Sequence, residues 1–135
     1  MGRGFWEVRG KAMARVSSGY KALGELFRAL AHPVRARILD ILACQEACVC
    51  HLTAVLGQHQ PYVSQQLATL REAGLVTDRR EGTLVYYRLA DEGLAELLDK
   101  AQAIVRALSD EELAFPPVPV GPVANCPCPR CESGR

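Results

Sequence analysis

Between residues 20 and 74, and again between 91 and 108, apolar residues recur at helical spacing, punctuated by glycines, prolines and short polar clusters. Leu23, Leu26, Phe27 and Leu30 form one stripe and predict a first helix over 21–30. Pro33 suits the first position of a second helix, where its missing N–H has no partner to lose. Val34, Ile38, Leu39, Ile41 and Leu42 give that helix its inner side, ending near Ala43 or Cys44. A third short helix is predicted from Cys48 to Leu56, with Val49, Leu52, Val55 and Leu56 inward and Gly57 as a left-handed cap. Pro61 opens a fourth, which carries Val63, Leu67 and Leu70 and stops at Gly74.

After Leu75-Val76 the period changes from helical to alternating. Thr83 to Leu89 is rich in β-branched and aromatic residues, and a hairpin turning at Glu81-Gly82 follows. Asp91 is a good N-cap for a long last helix, whose apolar face runs through Leu94, Leu97, Leu98, Ile104, Val105 and Leu108. So long a face on so short a chain suggests a dimerisation surface, with packing inside one chain as the competing use. The predicted fold is mainly α with a β-hairpin wing, a winged helix-turn-helix, and it occupies residues 20–109. Residues 1–19, with four glycines and scattered charge, are expected to be a basic arm. Residues 110–135 form a proline- and cysteine-rich tail, in which the repeated prolines from Phe115 onward exclude helix and favour extended backbone.

The formal net charge of +1 conceals an asymmetry. Residues 1–40 carry eight Lys/Arg against three Asp/Glu, whereas residues 91–135 carry four against eight. A basic amino-terminal part permits a nucleic-acid partner without proving one. No stretch approaches the roughly 20 apolar residues of a membrane span, and the first residues lack the pattern of an export signal. A cytoplasmic protein is therefore expected. The three histidines show no nucleophile–base arrangement, so an enzyme is not.

On the fourth helix, Gln60, Tyr62, Ser64, Gln65 and Gln66 lie near the amino-terminal end that a recognition helix presents to the major groove. Glutamine can pair bidentately with adenine, and serine can meet a base or a phosphate. Arg71 on that helix and Arg79, Arg80 and Arg88 around the hairpin are the candidate phosphate contacts.

Six cysteines in a chain expected in the cytoplasm point to ligation or thiol chemistry rather than structural disulfides. They form two groups: Cys44, Cys48 and Cys50, then Cys126, Cys128 and Cys131. Residues two apart do not share a regular helix face, so Cys48 and Cys50 chelate one ion only if the helix start is irregular. Four arrangements stay open: a site joining Cys48 and Cys50 to tail thiols, separate sites, completion by Cys44, or an inert or redox-active tail. Thiolates suit soft ions. A three-thiolate set favours arsenite, antimonite, lead or cadmium. Tetrahedral zinc needs a fourth donor, for which His51 and His59 are available although both read better as surface or turn residues.

The run from His32-Pro33 through Glu46-Ala47-Cys48-Val49-Cys50-His51-Leu52, Gln58 to Leu67 and Leu70 to Val76, then Arg80-Glu81-Gly82 and Tyr86 to Leu89, resembles the ArsR/SmtB family of metal-sensing repressors. The resemblance covers about residues 21–105. It implies a homodimer built through the first and last helices, bound to double-stranded operator DNA when ligand-free and released by metal. Cys48-Val49-Cys50 is similar to the pair that supplies two ligands in arsenic-, lead- and cadmium-sensing members. Where the arsenic pattern has a further cysteine this chain has Thr53. Ser64 matches a DNA-contacting serine of the family, and Gln66 stands where histidine is common. The family's aspartate–histidine site on the last helix has no histidine here, since residues 91–108 contain none. Two rivals keep the scaffold: a thiol-redox or sulfide sensor, and a metal-sequestering module without an operator.

Overall fold

The computed structural model describes residues 16–133. Most of the expected arm therefore lies outside the described residues, and its last two positions already belong to the first helix. Helix α1 (Ser18–Leu30) starts where the Ser17 hydroxyl accepts the Tyr20 N–H at 3.4 Å. Helix α2 (Pro33–Cys44) begins on Pro33, with His32 Nδ1 accepting the Val34 N–H. Next come strand β1 (Ala47–Cys48), helix α3 (Val49–Leu56) and helix α4 (Gln60–Glu72). Gly57, at φ 63°, closes α3 in the left-handed region. Gly74, at φ 78°, closes α4, with Leu75 N–H donating back to the Leu70 carbonyl.

The wing consists of β2 (Val76–Glu81) and β3 (Leu84–Leu89), paired antiparallel with Glu81 opposite Leu84 around the turn at Gly82-Thr83. The sheet has three strands in the order β1-β3-β2, with Ala47 opposite Tyr87 and Cys48 opposite Tyr86. The third strand was not expected, because two residues are too few for an alternating pattern. Helix α5 (Gly93–Leu108) starts two residues after Asp91, whose carboxylate accepts the Gly93 N–H at 2.8 Å.

One core joins the elements. Ile38, Leu39, Ile41, Leu52, Val63, Leu67 and Leu70 are fully buried within it, and Leu94 and Leu98 fix α5 against α2. Arg35 ties three helices together: its guanidinium donates to the Ala29 and Arg28 carbonyls at the end of α1 and to Gln66 Oε1 on α4. The apolar stripe of α1 is only partly used. Leu23 and Phe27 stay exposed, Phe27 at 50%, as do Ile104, Val105 and Leu108 of α5, Leu108 at 81%.

The tail is not a free extended strand. Arg37 donates to the carbonyls of Pro116 and Pro117, and Gly121 N–H donates to Gln45 Oε1. Gly121 and Asn125, both with positive φ, turn the chain back toward the body. A last short helix, α6 (Pro129–Ser133), contradicts the expectation that the prolines exclude helix, because Pro129 takes the first position, where proline is tolerated.

Leu67→Ala is expected to destabilise the chain by about 2–5 kcal/mol through the cavity it leaves on the inner side of α4. Urea denaturation of the two proteins measures it.

Candidate metal centre and DNA-reading face

Cys48 is extended, at φ −83° and ψ 166°, and serves as N-cap of α3, its Sγ accepting the His51 N–H at 3.4 Å. Cys50 lies inside the first turn of that helix. The change from strand to helix between them brings the two sulfurs together at 2.7 Å, which two residues of a regular helix could not do. The tail supplies the rest. Cys126 Sγ lies 3.5 Å from Cys50 Sγ and 3.4 Å from Cys128 Sγ. The sulfurs of Cys48, Cys50, Cys126 and Cys128 all fall within 4.8 Å of one another, three of these residues buried and Cys50 partly so. A tetrahedral ion with metal–sulfur bonds of about 2.3 Å has sulfur–sulfur edges of about 3.8 Å. The four thiols are thus already close to a ligand set.

Beside them, the buried His51 and Cys131 approach to 3.4 Å, Nδ1 to Sγ. The surface role expected for His51 is therefore corrected. It stands one turn after Cys48 on the first turn of α3, and the docked tail covers it. Cys44, at the end of α2, is exposed and lies in neither thiol group of the described residues. His59 is exposed and makes no side-chain cap bond to α4.

Burial pushes the Cys48 thiol up to about 12, and its contact with Cys50 adds to the rise. Burial also raises Cys126. Burial opposes ionisation of Cys128 as well, but the Cys131 backbone N–H and bonds from the Cys126, Cys131 and Cys48 thiols outweigh it and bring Cys128 down to about 7. Burial lowers His51 and keeps its ring neutral. Three features thus meet in one place: a thiol shifted toward ionisation, neighbours shifted against it, and an imidazole shifted toward its neutral form.

The cluster touches the wing. Glu46 accepts from Arg79 at 2.8 and 2.7 Å and from Arg130 of α6 at 3.0 Å. The bond from Arg79, joined by that from Arg130, holds the Glu46 carboxyl below its usual value. Both guanidiniums also lie over the Tyr86 ring, at 5.0 and 4.3 Å to its centroid. Sequence reasoning missed Glu46 and Tyr86, since neither is a ligand type for a soft ion.

Of the expected DNA contacts, Gln60, Ser64 and Gln65 are exposed on α4, and Tyr62 is half-buried with its hydroxyl 3.4 Å from His32 Nε2. Gln66 is a correction. It falls on the inner face with Val63, Leu67 and Leu70, is buried, and spends its carbonyl on Arg35. Arg71 pairs with Asp78 at 3.0 Å, Arg80 is exposed, and Arg88 donates to the Thr77 hydroxyl.

Comparison with known proteins follows the same geometry. The family described as "Bacterial regulatory protein, arsR family" matches residues 32–78, from the start of α2 into β2. A Mycobacterium tuberculosis protein named "Uncharacterized HTH-type transcriptional regulator Rv0081" is 42% identical over 93 residues, covering 67% of this chain and 82% of that protein. This chain belongs to the ArsR family. The crystal structure of Rv0081 superposes with a TM-score of 0.63 at 41% identity, over 70% of this chain and 96% of that one. The arsenical resistance operon repressor of Escherichia coli K12 is 41% identical over 97 residues, or 63% of this chain and 83% of its own length. The solution structure of the homodimeric winged helix-turn-helix domain of Mb0332 from Mycobacterium bovis gives a TM-score of 0.64 at 32% identity, over 75% and 94%. This ArsR-family chain is accordingly a winged helix-turn-helix transcriptional regulator and not an enzyme. The family match includes Cys48 and Cys50 and ends before the tail thiols. No helix among the described residues is long and apolar enough to cross a membrane.

In reduced, ion-free protein, one thiol should react quickly with a disulfide reagent and the clustered ones slowly. Cys44→Ser should remove the fast phase in stopped-flow absorbance. Six equally fast thiols would mean that the tail does not dock.

Proposed function

We propose that this ArsR-family regulator is a homodimeric repressor that binds operator DNA when ion-free and releases it when a thiophilic ion is taken up by Cys48, Cys50, Cys126 and Cys128. The observation that carries this reading is the convergence of those four sulfurs within 4.8 Å, two from the start of α3 and two from the tail. The uncovered apolar residues of α1 and α5 favour the dimer, as does the homodimeric state of the Mb0332 domain. Exposed Gln60, Ser64 and Gln65 are the candidate base-edge contacts, with Arg71, Arg79, Arg80 and Arg88 toward phosphate.

Four thiolates change the choice of ion. Cadmium, and also zinc, can use the whole set as a tetrahedral site, so zinc no longer lacks a fourth donor. Arsenite and antimonite would take three of the four, and lead is also served by soft thiolates. Among these, cadmium matches both the softness and the number of donors.

The coupling to DNA runs through two contacts. Cys48 belongs to β1 and caps α3, the helix before the recognition helix, so an ion at its sulfur pulls on the helix-turn-helix directly. Fixing Cys126 and Cys128 also anchors α6, whose Arg130 shares the Glu46 carboxylate with Arg79 of the wing. A coupling of about 3 kcal/mol weakens operator affinity roughly 100-fold.

Fluorescence anisotropy on the promoter fragment of the chain's own gene, at fixed salt and against a scrambled duplex, tests the reading. Cadmium should weaken specific binding of the wild type by about 100-fold, while Cys48→Ser and Cys128→Ser bind the fragment but respond little. A full cadmium response in both variants would overturn the thiolate site. Release by peroxide with no response to any ion would favour the redox sensor. Tight cadmium uptake with only non-specific DNA affinity would favour the sequestering module.

A further inference from the structure

The four-thiolate set leaves two neighbouring donors unused. His51 Nδ1, Cys131 Sγ and Cys126 Sγ lie within 4.8 Å of one another, and all three residues are buried. Cys126 belongs to both groups. A thiolate sulfur has lone pairs enough to bind two cations at once, so the shared residue does not force a choice between the sites.

Building on the four-thiolate reading, we infer that the centre holds two soft divalent ions, the second bound by His51, Cys131 and a bridging Cys126. Mixed nitrogen and sulfur donors suit cadmium or zinc. Both prefer four ligands, and a cavity of about 180 Å³ bordered by His51, Cys131, Tyr86 and Arg130 gives a water molecule room to be the fourth.

Charge favours the second ion. Four thiolates around one divalent cation leave a buried site with two negative charges, and an ionised Cys131 would add a third. A second divalent cation with one more thiolate and a neutral imidazole reduces the excess to a single negative charge. Uncompensated buried charge is costly, so the two-ion state is better balanced than the one-ion state with Cys131 ionised.

The imidazole is already held by an outer partner. Gly121 N–H can only donate, so the Gln45 atom it meets at 3.0 Å is the carbonyl oxygen. The Gln45 amide nitrogen therefore faces His51 Nε2 at 3.0 Å, and Nδ1 carries the ring proton toward Cys131. When an ion takes Nδ1, the proton sits on Nε2, and Gln45 must turn its amide to accept it, giving up Gly121. Such a second hydrogen bond is what orients a ligating histidine. Gln45 is thus a positioning residue for the second site.

The test uses the full-length reduced chain saturated with cadmium chloride and then desalted. Native mass spectrometry counts the ions retained, and ¹¹³Cd NMR separates an all-sulfur resonance from one with a nitrogen donor. Wild type should retain two ions per chain and show two resonances. His51→Ala and Cys131→Ser should each retain one, keeping the all-sulfur resonance and its sulfur-to-cadmium absorption band. One ion in wild type, or two in both variants, overturns the second site while leaving the first intact. No retained cadmium in wild type overturns both.

Discussion

Pairing of Ala47 and Cys48 with Tyr87 and Tyr86 is the contact on which the centre depends. It holds Cys48 in extended backbone immediately before α3 begins, and only that change of conformation lets the sulfurs of residues 48 and 50 face one point. The same two pairs tie the start of α3 to the central strand of the wing. An ion held by Cys48 therefore cannot move the helix without loading the sheet. Under the proposed reading, ligand chemistry and DNA-reading geometry share one short strand.

The tail reaches this strand through polar contacts as well as through Val118, Val123 and its thiols. Arg37 holds Pro116 and Pro117, Gln45 holds Gly121, and Glu46 holds Arg130. The exposed Glu46–Arg130 ion pair is worth little by itself. The buried thiols at the end of the tail gain only weak hydrogen bonds from one another. Docking is consequently the part of the fold most open to ligand control. An ion present at 1,000 times its dissociation constant adds about 4 kcal/mol to whichever state holds it, enough to move a marginal equilibrium decisively.

How much of this was legible in the chain follows from the range of each interaction. The helices were readable because Ile38, Leu52, Leu67 and Leu98 repeat at helical spacing and because Pro33, Gly57, Pro61 and Gly74 punctuate them. The hairpin was readable from alternation around Glu81-Gly82. Strand β1 was not, since its two residues become a strand only by meeting β3. Gln66 looked like a base reader because its type suits adenine, but its helical phase with Val63 and Leu70 turns it inward to Arg35. The thiols were recognisable from their spacing as two groups with donor chemistry suited to a soft ion. That the tail returns to its own α3, leaves Cys44 exposed and buries His51 depends on contacts some 80 positions apart, which no local pattern encodes.

The central claim is that tail thiols complete the Cys48–Cys50 pair. X-ray absorption at the cadmium edge, on reduced protein loaded with one equivalent, tests it most directly, comparing the full chain with one ending at Val118. Four sulfur neighbours in the full chain, falling to two with light-atom ligands in the shortened one, is the result expected. An identical sulfur count in both proteins would mean that the tail takes no part in the site.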